Sequence, residues 1–177
     1  MTWLHFRLRE REFSLRRAGP SDATGIVEIE QQGAGESGVG FALRQVRRLI
    51  TNPRAGSWVA VSGTAGGPGQ DAHDPAAPAV AGWACVLYRR AGAGVSARLY
   101  SVGVHAACRG AGLGRTLVVR VLEDARSKHA RAVSLEVREG NTPALRLYES
   151  LGFTWTEVVP DYYTPGVHGV RMRLALR

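Results

Sequence analysis

Arg109-Gly110-Ala111-Gly112-Leu113-Gly114-Arg115-Thr116 lies between a β-like run, Leu99-Tyr100-Ser101-Val102-Gly103-Val104, and an apolar-periodic segment, Leu117 to Ala125. A strand, a short glycine-rich turn and a helix start together present free backbone N–H groups to an anion. The first turn of a helix has four N–H groups without intrahelical partners, and the macrodipole adds roughly half a positive charge there. Glycine admits φ > 0 and lets the main chain approach a phosphate where a side chain would clash. The stretch therefore predicts a ligand that carries a pyrophosphate.

The elements on either side predict a mixed α/β fold. Glu12 to Arg17 reads as a first strand, and Gly19-Pro20-Ser21-Asp22 supplies a turn and an N-cap for a helix over Ala23 to Gln32. After a glycine-rich break, Gly33 to Gly40, a second helix carries Phe41, Leu43, Val46, Leu49 and Ile50 as its apolar stripe and ends at Asn52-Pro53. Trp58 to Val61 is a strand, and Ser62 to Ala79 is read as a flexible surface loop with little to bury. Val80 to Tyr88 and Val95 to Val104 form a strand pair, and the helix after the glycine turn runs to about Lys128. Ala132 to Val137 is the next strand. Asn141-Thr142-Pro143 starts a helix that closes at Leu151-Gly152-Phe153, with proline where its missing N–H costs little and Gly152 as the C′ residue. Phe153 to Val159 and Val167 to Leu176 are the last two strands. This order predicts a sheet with helices on both faces, within one domain spanning 1–177.

Composition narrows the classes. The chain is 45% hydrophobic and 21% charged, an ordinary globular balance. No run approaches the ~18 apolar residues of a membrane span. Charge interrupts Met1 to Arg7 too early for an export signal, so the default location is cytoplasmic. Cys85 and Cys108 make no disulfide framework, and the five histidines are scattered without ligand spacing, so no metal is expected. The net charge is +8, with Lys128 the only lysine. Such a balance suits polyanionic ligands, yet the arginines are spread along the chain and no nucleic-acid motif is present.

Two other phosphate sites compete for the turn. A dinucleotide fingerprint would need glycine at Arg115, and five residues, His105 to Arg109, separate the strand from the first glycine. A P-loop would need a Gly-Lys-Ser/Thr ending, which is missing. The turn, Leu135-Glu136-Val137-Arg138, Glu139-Gly140-Asn141 and Leu147-Tyr148-Glu149-Ser150-Leu151-Gly152-Phe153 together resemble the GCN5-related N-acetyltransferase (GNAT) superfamily, most closely its ribosomal-protein-alanine N-acetyltransferase branch. The match covers about Tyr100 to Phe153, with Asp161-Tyr162-Tyr163 also fitting the branch and the N-terminal third matching loosely.

The resemblance implies a GNAT-type, mostly antiparallel sheet with a splayed parallel pair, Leu99–Val104 against Ala132–Val137. It implies acetyl-CoA as acyl donor. Arg109, Gly110, Ala111, Gly112, Leu113 and Gly114 match the family's phosphate loop, and the N–H groups from Ala111 through Arg115 to Thr116 would grip the phosphates. Val102, Gly103 and Val104 would pair with the pantetheine arm, and an N–H near Val104 would polarise the thioester carbonyl. Asn141 matches the family asparagine that bonds the cofactor, although it also suits a helix N-cap.

Direct attack on a thioester needs a neutral amine, and α-amines titrate near ~8 and lysine near ~10.4. A base must therefore take a proton, and an acid must protonate the departing thiolate. Glu136 matches the branch's proton acceptor and, by strand alternation, shares a face with Ser134, opposite Val133, Leu135 and Val137. A solvated strand glutamate is the plain alternative. Tyr148 matches the family's acid, although Ala144, Leu147, Tyr148 and Leu151 also have the spacing of a core stripe. Tyr162 and Tyr163 are candidates for the acceptor channel. The acceptor is a primary amine, either a protein N-terminus or a small molecule. Glu36-Ser37-Gly38-Val39 lacks the aromatic-rich segment of the branch, which leaves that choice open. The superfamily often dimerises, which leaves a homodimer open. A non-catalytic basic module that binds coenzyme A or RNA is the competing class, and it would need neither Glu136 nor Tyr148.

Overall fold

A computed structural model describes residues 4–8, 11–33, 40–63, 78–92 and 94–176. Eight strands form one sheet: β1 (Leu4–Leu8), β2 (Arg11–Arg17), β3 (Ala55–Ser62), β4 (Gly82–Ala91), β5 (Gly94–Val104), β6 (Ala130–Arg138), β7 (Thr154–Thr164) and β8 (Val167–Ala175). Their order is β1-β2-β3-β4-β5-β6-β8-β7, and every neighbouring pair is antiparallel except β5 and β6. Among the described residues, four α-helices cover it: α1 (Ala23–Gly33), α2 (Leu43–Thr51), α3 (Leu113–Ser127) and α4 (Thr142–Ser150). This is the mixed, mostly antiparallel α/β fold that the resemblance implies.

Strand alternation divides the core in two. Val59, Trp83 and Cys85 face α1 and α2, where they meet Ile26, Ile29, Val46 and Leu49. Trp58, Ala60, Ala84 and Val86 face the other way, towards α3 and α4. Leu113, Leu117, Val118, Val121 and Leu122 of α3 are all buried there. Each contributes about 1.5–3 kcal/mol, so the helix that begins at the glycine turn is firmly seated on the sheet.

A buried polar tie reinforces that seat. Asp124 of α3 is 4% exposed; it accepts hydrogen bonds from Arg17 Nη2 of β2 at 2.7 Å and from Tyr88 Oη of β4 at 2.6 Å. Burial and the bond to Asp124 push the Tyr88 phenol up, so it stays a donor. Asp124→Ala strands the Tyr88 hydroxyl and one guanidinium edge. Losing hydrogen bonds to a charged group costs about 2 kcal/mol, which is expected to lower the melting temperature by about 4–8 °C in a calorimetric scan.

Two features place the site. The parallel ladder between β5 and β6 pairs Val95 with Ala130, Ala97 with Val133 and Arg98 with Ser134, and ends there. Past Arg98 and Ser134 the strands diverge. In the β4–β5 pair, Val86 faces Leu99 and Cys85 faces Ser101, so Tyr100 is the extra residue of a bulge. A bulge re-aims side chains, and here Tyr100 and Ser101 both turn towards α1 and α2. Tyr100 stacks on Phe41 with ring centroids 5.6 Å apart, and Ser101 Oγ donates to Glu30 Oε1 at 2.6 Å.

The structure departs from the sequence reading in three places. β1 precedes the strand expected to be first and pairs with it antiparallel, Leu4 opposite Leu15 and Phe6 opposite Phe13. The Asp22 carboxylate serves a short 3-10 turn, Pro20–Asp22, ahead of α1; it accepts the Gly19 N–H at 2.7 Å and is forked by Arg16 at 2.6 and 2.8 Å. β7 continues through Pro160 to Thr164, with Asp161 at φ +52° where the register with β8 breaks. Pro160 is tolerated because β7 is an edge strand. Of the expected loop at 62–79, residues 64–77 lie outside the described residues, as do Glu36 to Val39. The described ends of that loop meet, Ser62 Oγ donating to the Pro78 carbonyl at 3.1 Å.

Candidate active site

Where β5 and β6 part, a cavity of about 460 Å³ opens between them. One wall is β5 from Arg98 to Gly103, and the other is β6 from Leu135 to Arg138. Glu30 and Phe41 close it on the α1–α2 face, Asn141, Ala144 and Tyr148 on the α4 side, and Tyr162 to Thr164 at the β7 end. Past Arg98, β5 is laddered to β4 on one edge and, among the described residues, to no strand on the other. An unpaired strand edge offers N–H and C=O groups to an extended amide-bearing chain, which is the character of a pantetheine arm.

The glycine turn lies just past the end of β5. Gly110 has φ +72° and Gly112 φ +88°, left-handed values that favour glycine. Gly112 is the N-cap of α3, and Thr116 N–H bonds back to its carbonyl at 3.2 Å. Among the described residues, the N–H groups of Gly110, Ala111, Gly112, Leu113, Gly114 and Arg115 have no protein acceptor. That ring of free donors at a helix N-terminus suits a diphosphate. The flanking arginine side chains are engaged elsewhere. Arg109 reaches the Val104 carbonyl at 3.2 Å and the Gln32 carbonyl at 3.3 Å, fastening the turn to β5 and α1, while Arg115 donates to Ser150 Oγ of α4 at 2.8 Å.

Of the sequence-derived candidates, Val102, Gly103, Glu136, Asn141 and Tyr148 come together around the cavity. Val104 stands at the end of β5, outside the cavity lining, with its carbonyl bonded to Arg109. Gly103 also carries a packing demand, since a Cβ there would lie 2.4 Å from Ile29 Cγ2. Asn141 caps α4, its Oδ1 accepting from Ala144 N–H at 3.3 Å, so the capping reading and the cavity position coexist.

Tyr148 is buried and packs edge-to-face on Phe153 at 5.7 Å. Its hydroxyl has no hydrogen-bond partner among the described residues. Burial, with the nearby Tyr163 second, pushes its phenol up to about 12. The group therefore stays protonated through the neutral range and can donate. Tyr163 is likewise pushed up to about 12, mainly by burial, and its hydroxyl donates to the Glu136 carbonyl at 3.3 Å. Tyr162 and Tyr163 meet at 5.0 Å, nearly perpendicular.

Glu136 projects to the α1–α2 side of the sheet, its side chain 7% exposed. Each of its oxygens accepts one hydrogen bond and keeps a further lone pair: Arg98 Nε donates to Oε2 at 2.7 Å from across the split, and Arg171 Nε of β8 donates to Oε1 at 2.8 Å. Arg171 also pairs with Glu157 of β7, and Arg98 Nη2 donates to Tyr162 Oη. The result is a row of alternating charges across four strands.

Three residues of the site escaped the sequence reading: Arg98, Arg171 and Glu30. The arginines stand 38 and 35 residues from Glu136, so only the sheet order unites them. Glu30 follows the buried Ile29 in α1 and is held by Trp83 Nε1 at 2.7 Å and by Ser101. Burial raises its carboxyl above the ordinary range, against the two hydrogen bonds that lower it. A glutamate next to the apolar stripe of a helix was the available signal.

Solved structures share this architecture. Arabidopsis thaliana NAA60 in complex with acetyl-CoA superposes with a TM-score of 0.75, at 17% identity, covering 93% of this chain and 98% of that one. The ribosomal-protein-S18-alanine N-acetyltransferase from Escherichia coli does so at 0.70 and 20% identity, covering 92% and 93%. At such identities the likeness is one of fold. The mycothiol acetyltransferase of Thermomonospora curvata is 49% identical over 70 residues, 40% of this chain and 24% of its own length, so the chain spans about a quarter of such relatives. The sequence profile of the acetyltransferase (GNAT) family matches residues 36–153, more than half of the sequence, and the chain belongs to that family.

Proposed function

We propose that the chain moves an acetyl group from acetyl-CoA to a primary amine by direct attack, with a protein N-terminal α-amine as the first acceptor class. The observation that carries this reading is the unpaired stretch of β5 and β6 past Arg98 and Ser134, with a free-amide turn at one end and Glu136 and Tyr148 on its walls. The free amides from Gly110 to Arg115 would hold the diphosphate; the Thr116 N–H, expected to join them, is instead bonded to the Gly112 carbonyl. Val102, Gly103 and Val104 would pair with the pantetheine arm, and Asn141 would add a polar contact.

In the reaction, the amine nitrogen bonds to the thioester carbonyl carbon and the carbon–sulfur bond breaks. The nitrogen passes its proton to Glu136, directly or through one water, and the thiolate takes the Tyr148 proton. Arg98 and Arg171 hold the Glu136 carboxylate in a single orientation, and such positioning is what acid–base catalysis requires. A protein that merely binds coenzyme A would need neither Glu136 nor Tyr148.

The fold likeness to N-terminal acetyltransferases supports the α-amine, and the relative named for mycothiol favours a small-molecule acceptor as the second reading. Thiol release from acetyl-CoA across a panel of peptides and small amines tests the proposal. Turnover with at least one acceptor class is expected, and no turnover with any of them contradicts it. Glu136→Gln keeps the shape of the side chain and removes its charge. It is expected to lower kcat about 100-fold with little change in acetyl-CoA affinity. A kcat equal to that of the wild type removes Glu136 from the proton path.

A further inference from the structure

We infer that Arg98 is a carboxylate receptor, so that the acceptor is an amine with a carboxylate close to its reacting nitrogen; the inference rests on the acetyl-transfer reading above. Arg98 occupies the last paired step of the β5–β6 ladder, and its side chain lines the cavity where the strands part. Its guanidinium is fixed on several sides. Nε is committed to Glu136 and Nη2 to Tyr162, and Cζ lies 5.6 Å from the centre of the Tyr100 ring. Nη1 has no partner among the described residues, and the side chain is 41% exposed.

A guanidinium oriented by its own neighbours, with N–H groups left over, is suited to a carboxylate. The ordering is done before the ligand arrives, so little side-chain entropy is lost on binding. Arg171 provides the internal contrast. Its Nε and Nη1 are both committed to carboxylates, Glu136 and Glu157. Arg98 bonds one oxygen of Glu136, which Arg171 holds by the other, and among the described residues it has no second carboxylate. Because Glu136 is also the group that would receive the amine proton, a carboxylate on Arg98 sits beside the reacting nitrogen. Two sources of acceptor have that chemistry: a free α-amino acid, and a peptide that begins with aspartate or glutamate.

The test compares kcat/KM for matched acceptors with and without the carboxylate. L-alanine against L-alaninamide probes the α-carboxylate, and peptides beginning with Asp or Glu against Asn or Gln probe a side-chain carboxylate. The wild type is expected to prefer the carboxylate member of at least one pair by about tenfold or more, mainly through KM. Arg98→Gln is expected to bring that ratio close to one, and Arg98→Lys to leave part of it. Arg171→Gln is expected to lower kcat while preserving the ratio, which a purely structural role for the arginine row would not produce. A wild-type ratio near one in both pairs, or a ratio unchanged in Arg98→Gln, overturns the inference while amide turnover leaves acetyl transfer standing. No turnover with any of these acceptors also overturns the inference, while turnover with another amine of the wider panel leaves acetyl transfer standing.

Discussion

Gly112→Glu is expected to weaken acetyl-CoA binding at least 100-fold in a calorimetric titration, with the fold retained. Gly112 holds φ +88° as the N-cap of α3, where an L side chain costs about 1–2 kcal/mol. The added carboxylate would then sit inside the ring of free N–H groups. Two like charges about 4 Å apart repel by about 4 kcal/mol at the effective dielectric of a protein surface, and each 1.4 kcal/mol is tenfold. Gly112→Ala separates the two effects, since it imposes the backbone strain without the charge; its loss is expected to stay within about tenfold. The N-cap makes no side-chain hydrogen bond of its own, and Leu113 and Leu117 still seat the helix. Equal binding by wild type and Gly112→Glu would move the diphosphate away from this turn.

Tyr148→Phe is expected to lower kcat about 100-fold or more with acetyl-CoA affinity nearly unchanged. The ring is packed against Phe153 in the core between α4 and the sheet, and phenylalanine preserves that packing. What is lost is one hydroxyl, on a residue that lines the cavity, with no hydrogen-bond partner among the described residues, so stability should change little. General acid catalysis is worth roughly 10²–10⁴, whereas a core role predicts no kinetic effect from this substitution. The pH dependence offers a second reading of the same residue. Its phenol, pushed up to about 12 by burial, is protonated below that value and ionises only above it. The acid form therefore persists as the amine deprotonates near ~8, and kcat is expected to rise with pH and hold a plateau to about pH 11. A fall with a midpoint near the ordinary phenol value of about 10 would show that burial does not govern this group.

The parts of the molecule that follow from local chemistry were legible in the sequence. Glycines at 110, 112 and 114 ahead of an apolar-periodic run predict a strand–turn–helix, and the structure places α3 at Leu113 with left-handed glycines before it. Asn141-Thr142-Pro143 and Gly152 mark the two ends of α4, with Gly152 at φ +89°. β1 is weakly marked in the sequence: Leu4, Phe6 and Leu8 alternate with His5 and Arg7 over only five residues, and the pairing with β2 that makes it a strand is a tertiary contact. The true length of β7 was hidden by Pro160-Asp161, which reads as a stop unless the strand is known to be an edge.

The site divides along the same line. Glu136 and Tyr148 belong to contiguous motifs, so a resemblance reached them. Their surroundings come from elsewhere in the chain. The bulge at Tyr100, which turns Tyr100 and Ser101 to one face, depends on register with β4. The ion row from Arg98 through Glu136 and Arg171 to Glu157 exists because β8 inserts between β6 and β7. Strand order is a long-range property, and neither periodicity nor turn chemistry reports it.

A crystal structure of the protein grown with excess acetyl-CoA addresses the central claim most directly. The diphosphate is expected within hydrogen-bond distance of the amides from Gly110 to Arg115, with the pantetheine chain laid along Leu99 to Val104 and the thioester between Glu136 and Tyr148. An unliganded turn, or β5 and β6 paired to their ends with no room for the chain, would contradict the account.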